Sequence, residues 1–259
     1  MKFLLPTVAA ALTLVALPTL VHAEEAQALS VNLGAVSDYR YRGISQTRLK
    51  PALQGGADYA LGRGFYVGTW LSTIRWIRDW GTDSGVDTGR ANLEWDLYAG
   101  HKGELGPGLS YDVGVLAYLY PGNHYGRLPG AANANTTELD GALSFGVATL
   151  KYSHAVTHLF GTDKSKNSGY LEAAASFDLG SGFSVTPHIG HQLVAHNGNY
   201  SSTDYSLTAA KDFNGLVLSV ALVGADTKSI AGAKAYASPV DANKDLGKFG
   251  VVLGLKKTF

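Results

Sequence analysis

The sequence predicts an all-β protein, a transmembrane antiparallel up-and-down β-barrel of about twelve strands with short periplasmic turns and long extracellular loops. Three observations predict this fold: a targeting segment at the N-terminus, a series of alternating segments of about ten residues, and connections that alternate between long and short. The composition agrees, because 32 glycines and only 16% charged residues suit a sheet that faces lipid on one side.

Charge and cysteine content exclude several classes of function. The chain carries 21 basic and 21 acidic residues, and a neutral chain lacks the basic face that a nucleic-acid partner requires. It has no cysteine, which excludes disulfides, thiolate metal sites and cysteine nucleophiles. We therefore expect no nucleic-acid partner and no cysteine chemistry.

The N-terminus has the three parts of a secretory signal peptide. Lys2 provides the positive charge, Val8 to Leu17 form a short apolar core, and Val21-His22-Ala23 offer small residues for cleavage. The apolar core is too short to span a bilayer, and no later apolar run reaches that length. We expect a signal peptide over residues 1–23 and an outer-membrane barrel over residues 24–259.

The rest of the chain shows the two-residue period of strands and no segment with a helical period. Near 92–99, for example, Asn92, Glu94 and Asp96 alternate with Leu93, Trp95 and Leu97. Twelve such segments are bounded by turn residues. The predicted strands are 30–42, 52–61, 64–74, 91–101, 109–120, 137–145, 148–156, 169–179, 183–193, 202–212, 215–225 and 247–259.

The connections between these segments alternate in length, which is typical of a barrel with both termini in the periplasm. The long connections are 43–51, 75–90, 121–136, 157–168, 195–201 and 226–246. The short connections are 61–64, 102–108, 146–147, 180–182 and 213–215.

Aromatic residues lie at both ends of the predicted strands, which predicts two interfacial girdles. The periplasmic set is Phe65, Phe145, Phe177, Phe183, Phe213 and Phe259. The extracellular set is Tyr39, Tyr41, Trp70, Tyr118, Tyr120 and Tyr170.

The last predicted strand, 247–259, alternates in the same way and ends on an aromatic residue. In a closed barrel this strand pairs with the first one, so that no sheet edge meets lipid. A terminal aromatic resembles the signal by which bacterial outer-membrane barrels are recognised, so Phe259 is the predicted assembly signal. The alternation places Lys257 on the lipid side, where a rim position and a snorkelling side chain make it tolerable.

Several blocks of the chain resemble one family, the TorF-like porins of the Gcw_chp type, which are proteobacterial. The resemblance is carried by Val36–Thr47, Pro51–Gly56 and Gly64–Trp70, and Leu93–Gly100 supports it. Further support comes from Tyr111–Val115, Tyr120-Pro121-Gly122 and Lys257-Thr258-Phe259. The chain departs from the family in a long insert near 75–90 and in the basic Lys257. The resemblance implies an outer-membrane β-barrel and a pore, and it brings no catalytic residues.

The polar faces of the strands predict a charged lumen, because they point inward when the apolar faces meet lipid. An excess of acids there favours cations, and the expected function is passive diffusion of small hydrophilic solutes through a mildly cation-selective channel. The alternative is that these charges pair with one another and plug a narrow barrel. The predicted pore-lining residues are Arg40, Arg42, Asp58, Glu94, Asp96, Asp112, Glu138, Asp140, Lys151, Glu172, His188, Asp204 and Lys256.

Two segments have more than one interpretation. In Asp38–Arg42 the two guanidiniums share one strand face, which suits either an anion clamp or ion pairs with neighbouring carboxylates. The segment Arg75–Trp80 suits a constriction in the pore, a contact with lipopolysaccharide phosphates, or an exposed loop with aromatic anchors.

Two other functions compete with the channel. A structural or adhesive outer-membrane barrel would act through its long loops, and an outer-membrane hydrolase would use one of His154, His158 and His188. No catalytic sequence motif is present, so we expect neither an enzyme nor a cofactor nor a metal site. The expected partners are outer-membrane lipid and lipopolysaccharide, the barrel-assembly machinery, and small hydrophilic solutes or ions. The sequence leaves the solute and the oligomeric state open.

Overall fold

The computed structural model describes residues 28–230 and 232–259. The predicted signal peptide, residues 1–23, and the predicted start of the mature chain at Glu24 lie outside these ranges.

Twelve antiparallel strands form the wall, and we number them in chain order. They are β1 Leu29–Val36, β2 Ala52–Gly62, β3 Phe65–Thr73, β4 Leu93–Gly106, β5 Leu109–Leu119, β6 Thr136–Phe145, β7 Ala148–Ala155, β8 Gly169–Ala175, continued by Phe177–Gly180, β9 Phe183–Leu193, β10 Ser202–Asp212, β11 Leu216–Thr227 and β12 Gly250–Thr258. All twelve predicted strands are present, although the one expected over 30–42 stops at Val36.

The sheet closes on itself. Each strand pairs with its neighbours in sequence, and β1 also pairs with β12, with Asn32 opposite Thr258 and Val36 opposite Gly254. Closure removes both sheet edges, as a barrel in lipid requires. The predicted fold class, a twelve-strand antiparallel up-and-down barrel, is confirmed.

The connections divide the barrel into two ends. The short turns all lie at one end, which we call the turn end, and the long connections all lie at the other, the loop end. The register of β12 also agrees with the prediction. Lys257 has the same parity as the exposed Leu255, and its ammonium donates to the Asn214 carbonyl in a turn, 3.0 Å away.

The first long connection folds back as a hairpin instead of extending β1. Two short strands, Arg40–Tyr41 and Ile44–Ser45, pair across a turn in which Arg42 and Gly43 have φ angles of 46° and 75°. Two consecutive left-handed residues are the signature of a tight hairpin turn. This turn explains why the predicted strand 30–42 ends early, and we call residues 37–48 the inward hairpin.

The second long connection contains a helix, α1 Trp76–Ser84, so the expectation of no helical segment is wrong. Its sequence has a weak helical pattern, and the fold around it supplies the missing stability. Ile77 is fully buried, Trp76 packs edge-on against Tyr120 and Tyr125, and Gly85 ends the helix in the left-handed conformation. Tertiary packing commonly stabilises helices as short as this one.

The remaining loops hold only short elements. Two 3-10 turns span Tyr125–Arg127 and Gly198–Tyr200. The last long connection contains the strand pairs Ser229–Ile230 with Ala233–Lys234 and Ala237–Ser238 with Asp241–Asp245.

Within residues 28–230 and 232–259, no helix is long and apolar enough to cross a membrane.

The hydrophobic core lies inside the barrel at the loop end. It joins wall residues such as Val36 and Tyr118 to loop residues such as Tyr39 and Ile77. The predicted aromatic girdle at this end is therefore wrong, because its members face inward: Tyr39, Tyr118, Tyr120 and Tyr170 are at most 3% exposed, and Tyr41 and Trp70 are half-buried.

At the turn end, the aromatic residues do face outward. All six predicted phenylalanines are exposed, from 43% for Phe177 to 67% for Phe145. The two aromatic sets thus serve different purposes, an outer band at the turn end and an inner core at the loop end.

Candidate functional site: a constricted lumen

The inward hairpin crosses the lumen and constricts it. At its tip, Arg42 reaches Glu138 on β6, with Nη2 2.7 Å from Oε2, and its other terminal nitrogen donates to Gln192 on β9. The guanidinium also lies over the ring of Tyr170 on β8, 4.1 Å from its centroid. The side chains of Arg42 and Glu138 are only 10% and 3% exposed. The hairpin is thus tied to three strands of the opposite wall.

Gly43 fixes how closely the hairpin approaches that wall. A Cβ atom at this position would lie 2.8 Å from both the Gly224 carbonyl and the Asp204 Cβ. Contacts this short do not occur for real side chains, and the φ of 75° also favours glycine. The tip therefore packs directly on β10 and β11.

Arg40 has a different role from Arg42. Its guanidinium is held by Asp38 and by the carbonyls of Gly43, Leu246 and Lys248, with 2.9 Å to Gly43 and 3.1 Å to each of the other two. The anion clamp inferred from strand parity is wrong, because the turn at Arg42 directs the two guanidiniums to different surroundings. Both are paired, as the ion-pair interpretation expected.

Beside the inward hairpin, two of the predicted pore-lining acids, Glu94 and Asp96, are buried on the inner face of β4. Glu94 accepts hydrogen bonds from the hydroxyls of Tyr39 and Tyr120, at 2.5 and 2.9 Å. Asp96 is 0% exposed, and within residues 28–230 and 232–259 neither of its carboxylate oxygens has a hydrogen-bond partner. These residues add two buried carboxyl groups beside the constriction.

A cluster of polar side chains lies across the lumen from Glu94. His188 on β9 lies between two predicted acids, with Nε2 3.0 Å from Glu172 and Nδ1 3.5 Å from Asp204. The hydroxyl of Tyr170 donates to Asp204 at 2.9 Å. Strand parity predicted this inward face correctly but gave no indication that the three titratable groups meet.

Nearer the turn end, the predicted residues form a second, more open layer. Asp58 accepts a hydrogen bond from Tyr98 and Asp112 accepts one from Tyr66, both at 2.6 Å. Lys151 lies 3.5 Å from Asp140, and these two side chains are 13% and 12% exposed. Lys256 is half-buried on the same inward parity as Val252.

Sequence reasoning missed several residues of the inner face. Alternation along β3 and β4 puts Tyr66 and Tyr98 inside, but the predicted pore lining includes no tyrosine. Lys102, opposite Asp112 in the register and 5.8 Å from the Tyr66 ring, adds a base at the turn end. The signal that identifies the two tyrosines is strand parity applied to every residue rather than to charged residues alone. Lys102 was missed because the predicted strand ends at residue 101, whereas β4 continues to Gly106.

An open vestibule of about 510 Å³ lies above the constriction at the loop end. Its floor includes Arg42, Glu94 and Gln192, and its sides carry aromatic residues from all six long connections, among them Trp76 and Tyr236. The vestibule therefore leads from the loop end directly to the Arg42–Glu138 pair.

The closed wall, its exposed apolar outer face and its polar interior define a transmembrane β-barrel of the outer-membrane type. A model of the Gcw_chp family, described as bacterial proteins of unknown function, matches residues 21–259. The chain belongs to this family, which confirms that part of the resemblance. No curated protein sequence matches the chain.

Solved membrane proteins are similar to this chain in fold. The NanC porin has 10% identity and a TM-score of 0.51, and the match covers 90% of this chain and 99% of that one. A membrane protein from a study of in-meso crystallisation has 5% identity and a TM-score of 0.50 over 89% of this chain and 83% of its own. OprD from Pseudomonas aeruginosa matches with 12% identity and a TM-score of 0.42 over 92% of this chain and 68% of its own. At such identities the likeness concerns the fold alone.

Proposed function

We propose that this protein is a porin-like channel of the bacterial outer membrane, which passes small hydrophilic solutes or ions by passive diffusion. The observation that carries the proposal is the vestibule of about 510 Å³ that ends on the charged Arg42–Glu138 constriction, with a second charged layer below it. A barrel with a purely structural role has no need of two charged layers in its interior. NanC, which shares the fold, is itself a porin, and this agrees with the proposal.

The constriction makes the channel narrow and selective for small solutes. The inward hairpin fills part of the cross-section of the lumen. This agrees with the number of strands, because a twelve-strand barrel is intermediate in size between barrels filled by side chains and barrels with an open channel. The acids Glu94, Asp96 and Glu138 lie near one another there, and Glu138 pairs with the guanidinium of Arg42. An interior lined by more acidic than basic side chains favours cations, so we propose a mild cation preference.

Conductance in planar lipid bilayers tests this proposal. We expect the purified, folded protein to give discrete single-channel steps, with a reversal potential that shows a preference for K⁺ over Cl⁻ in a salt gradient. The double variant Glu94→Gln/Glu138→Gln should lower that preference. The matched control Asp178→Asn/Asp212→Asn removes two acids at the turn end, outside the constriction, and should leave the preference nearly unchanged. The absence of steps from correctly folded protein would refute the channel.

The second candidate is a structural or adhesive barrel that acts through its long loops. The observation that favours it is the loop-end core, in which the hairpin and α1 pack together. If bilayers stay silent while deletion of residues 78–88 abolishes surface adhesion without loss of folding, this role replaces the channel. A hydrolase has less support, because no serine hydroxyl within the described ranges is hydrogen-bonded to His154, His158 or His188.

The proposed location implies two further partners. Insertion requires the barrel-assembly machinery, for which Phe259 is the proposed signal. The outer leaflet brings the loop end next to lipopolysaccharide.

A further inference from the structure

Basic side chains from three separate segments meet on the outside of the loop end. Arg48 and Lys50 belong to the first long connection, Arg75 and Arg78 to the start of α1, and Lys244 to the last long connection. They line two adjoining surface cavities of about 470 and 400 Å³, which share Arg48 and Arg75. We call these five residues the basic rim.

The basic rim carries more positive charge than its neighbours neutralise. Asp79 binds the guanidinium of Arg48, with 2.7 Å between Nε and Oδ2, and Asp241 lies 3.9 Å from the ammonium of Lys244. Within residues 28–230 and 232–259, no carboxylate lies within 4.0 Å of Lys50, Arg75 or Arg78. All three of these side chains are exposed. The rim therefore presents three uncompensated cations to the surroundings.

The position of the rim relative to lipid is fixed by the first two strands. Val36 and Ala52 form the last pair of β1 with β2 at the loop end. The next residue, Leu53, is 69% exposed on the outer face and lines the larger cavity beside Arg48 and Arg75. The rim thus lies where the apolar wall ends, which is the level of lipid headgroups.

The local backbone is also suited to an anion. The helix α1 begins directly after Arg75, and no side chain caps its first turn. The N-terminus of a helix carries a partial positive charge, which adds to that of the four nearby bases. Guanidiniums bind phosphate oxygens through two parallel hydrogen bonds, and the Asp79 contact holds Arg48 in a fixed orientation.

We propose that the basic rim binds the phosphate groups of lipopolysaccharide in the outer leaflet. The proposal rests on the outer-membrane location given above, but not on conduction, because the bases that the test changes, Lys50, Arg75, Arg78 and Lys244, are not among the described residues that line the vestibule. The headgroup phosphates of this lipid occupy the same level as the rim, and its acyl chains would lie along Leu53. A free phosphate ion has the same charge but cannot use the apolar wall.

Lipid binding by the full, refolded mature chain in detergent micelles tests the proposal, with native mass spectrometry as the readout. The probes are bisphosphorylated lipid A, the same lipid after removal of its phosphates, and inorganic phosphate as a competitor. The test variant is Lys50→Glu/Arg75→Glu. The control is Lys164→Glu/Lys166→Glu, which changes exposed residues of another long loop. Both variants change the net charge by the same amount. Arg78→Glu/Lys244→Glu serves as a second test variant if the first does not fold.

We expect lipid A to bind the test variant at least about 25-fold more weakly than the parent or the control, because each of the two bases near a charged surface contributes roughly fivefold. Dephosphorylated lipid should bind the parent as weakly as lipid A binds the variant. Equal binding by variant and control, or equal binding of both lipids, would overturn the proposal. Displacement by micromolar inorganic phosphate would assign the rim to a free anion instead. Bilayer conductance of the same variants should be unchanged, which separates failure of this proposal from failure of the channel.

Discussion

Replacement of Arg42 by alanine tests whether one ion pair holds the inward hairpin across the lumen. The Nη2 and Oε2 atoms of the pair are 2.7 Å apart, and both side chains are at least nine-tenths buried. Removal of one partner of a buried pair costs about 3–5 kcal/mol, because the other charge stays buried without compensation. Tyr118 still donates to the same carboxylate at 3.2 Å. We therefore expect the lower value, a loss of about 3 kcal/mol.

A double-mutant cycle shows whether the loss comes from the stranded charge. In Arg42→Ala/Glu138→Gln no uncompensated carboxylate remains, so the double variant should be about 1–2 kcal/mol more stable than the single variant. Urea unfolding in lipid vesicles, followed by the fluorescence of the four tryptophans, measures each free energy of unfolding. Lys102→Ala is the control, because this base makes only a long contact with Tyr66, and its loss should stay below about 1 kcal/mol.

The cycle also has a clear negative result. In that result, Glu138→Gln lowers the free energy of unfolding by the same amount in the Arg42→Ala variant as in the parent protein, which means that the two residues act independently. The hairpin is then held by its other contacts, and the constriction needs a different explanation. A second readout is conductance, which should rise in Arg42→Ala because the alanine side chain leaves the lumen wider.

Three further perturbations test other parts of the molecule. Deletion of Phe259 should reduce the heat-modifiable folded fraction in outer membranes. The control Phe213→Ala removes another exposed aromatic side chain of the turn end and should leave this fraction unchanged. Equal effects of the two changes would argue against a terminal signal. Ile77→Ala should lower the free energy of unfolding, measured in urea, by about 2–5 kcal/mol, because the side chain is fully buried. The control Asp83→Ala changes an exposed residue and should lower it by less than about 0.5 kcal/mol. A small loss for Ile77→Ala would mean that α1 is not part of the core. Gly43→Val should displace the inward hairpin and raise conductance. The control Gly122→Ala, at a φ of 73° with open space around it, should leave conductance unchanged. Equal conductance in both variants would mean that the tip of the inward hairpin does not touch the wall.

Much of the wall could be predicted from the sequence, because lipid and lumen impose a strict two-residue alternation. Along β11 the exposed Leu216 and Leu218 alternate with the buried Val217 and Ser219, and a one-residue slip would exchange the two faces. The same rule assigned Lys257 to the outside. Turn residues located every connection for a similar reason, since each short turn needs glycine or a polar residue with a positive φ.

The contents of the lumen could not be predicted in this way. Parity gives the direction of a side chain but not its partner on a distant strand, so the meeting of His188 with Glu172 and Asp204 was invisible. The helix α1 is too short to be stable by itself, and contacts such as Ile77 with the loop-end core are absent from any local pattern. The loop-end tyrosines were misassigned because lipid interfaces and buried polar networks favour the same residue type.

The ties of Arg40 have a consequence for the order of folding. Its guanidinium binds carbonyls 206 and 208 residues further along the chain, at Leu246 and Lys248. Contacts between such distant segments form late, because the intervening chain must first lose most of its freedom. The hairpin is made early in synthesis but acquires its binding surface only when the final strands arrive. A barrel stalled before that step should therefore expose the inward hairpin to proteases, although most of its wall is already in place.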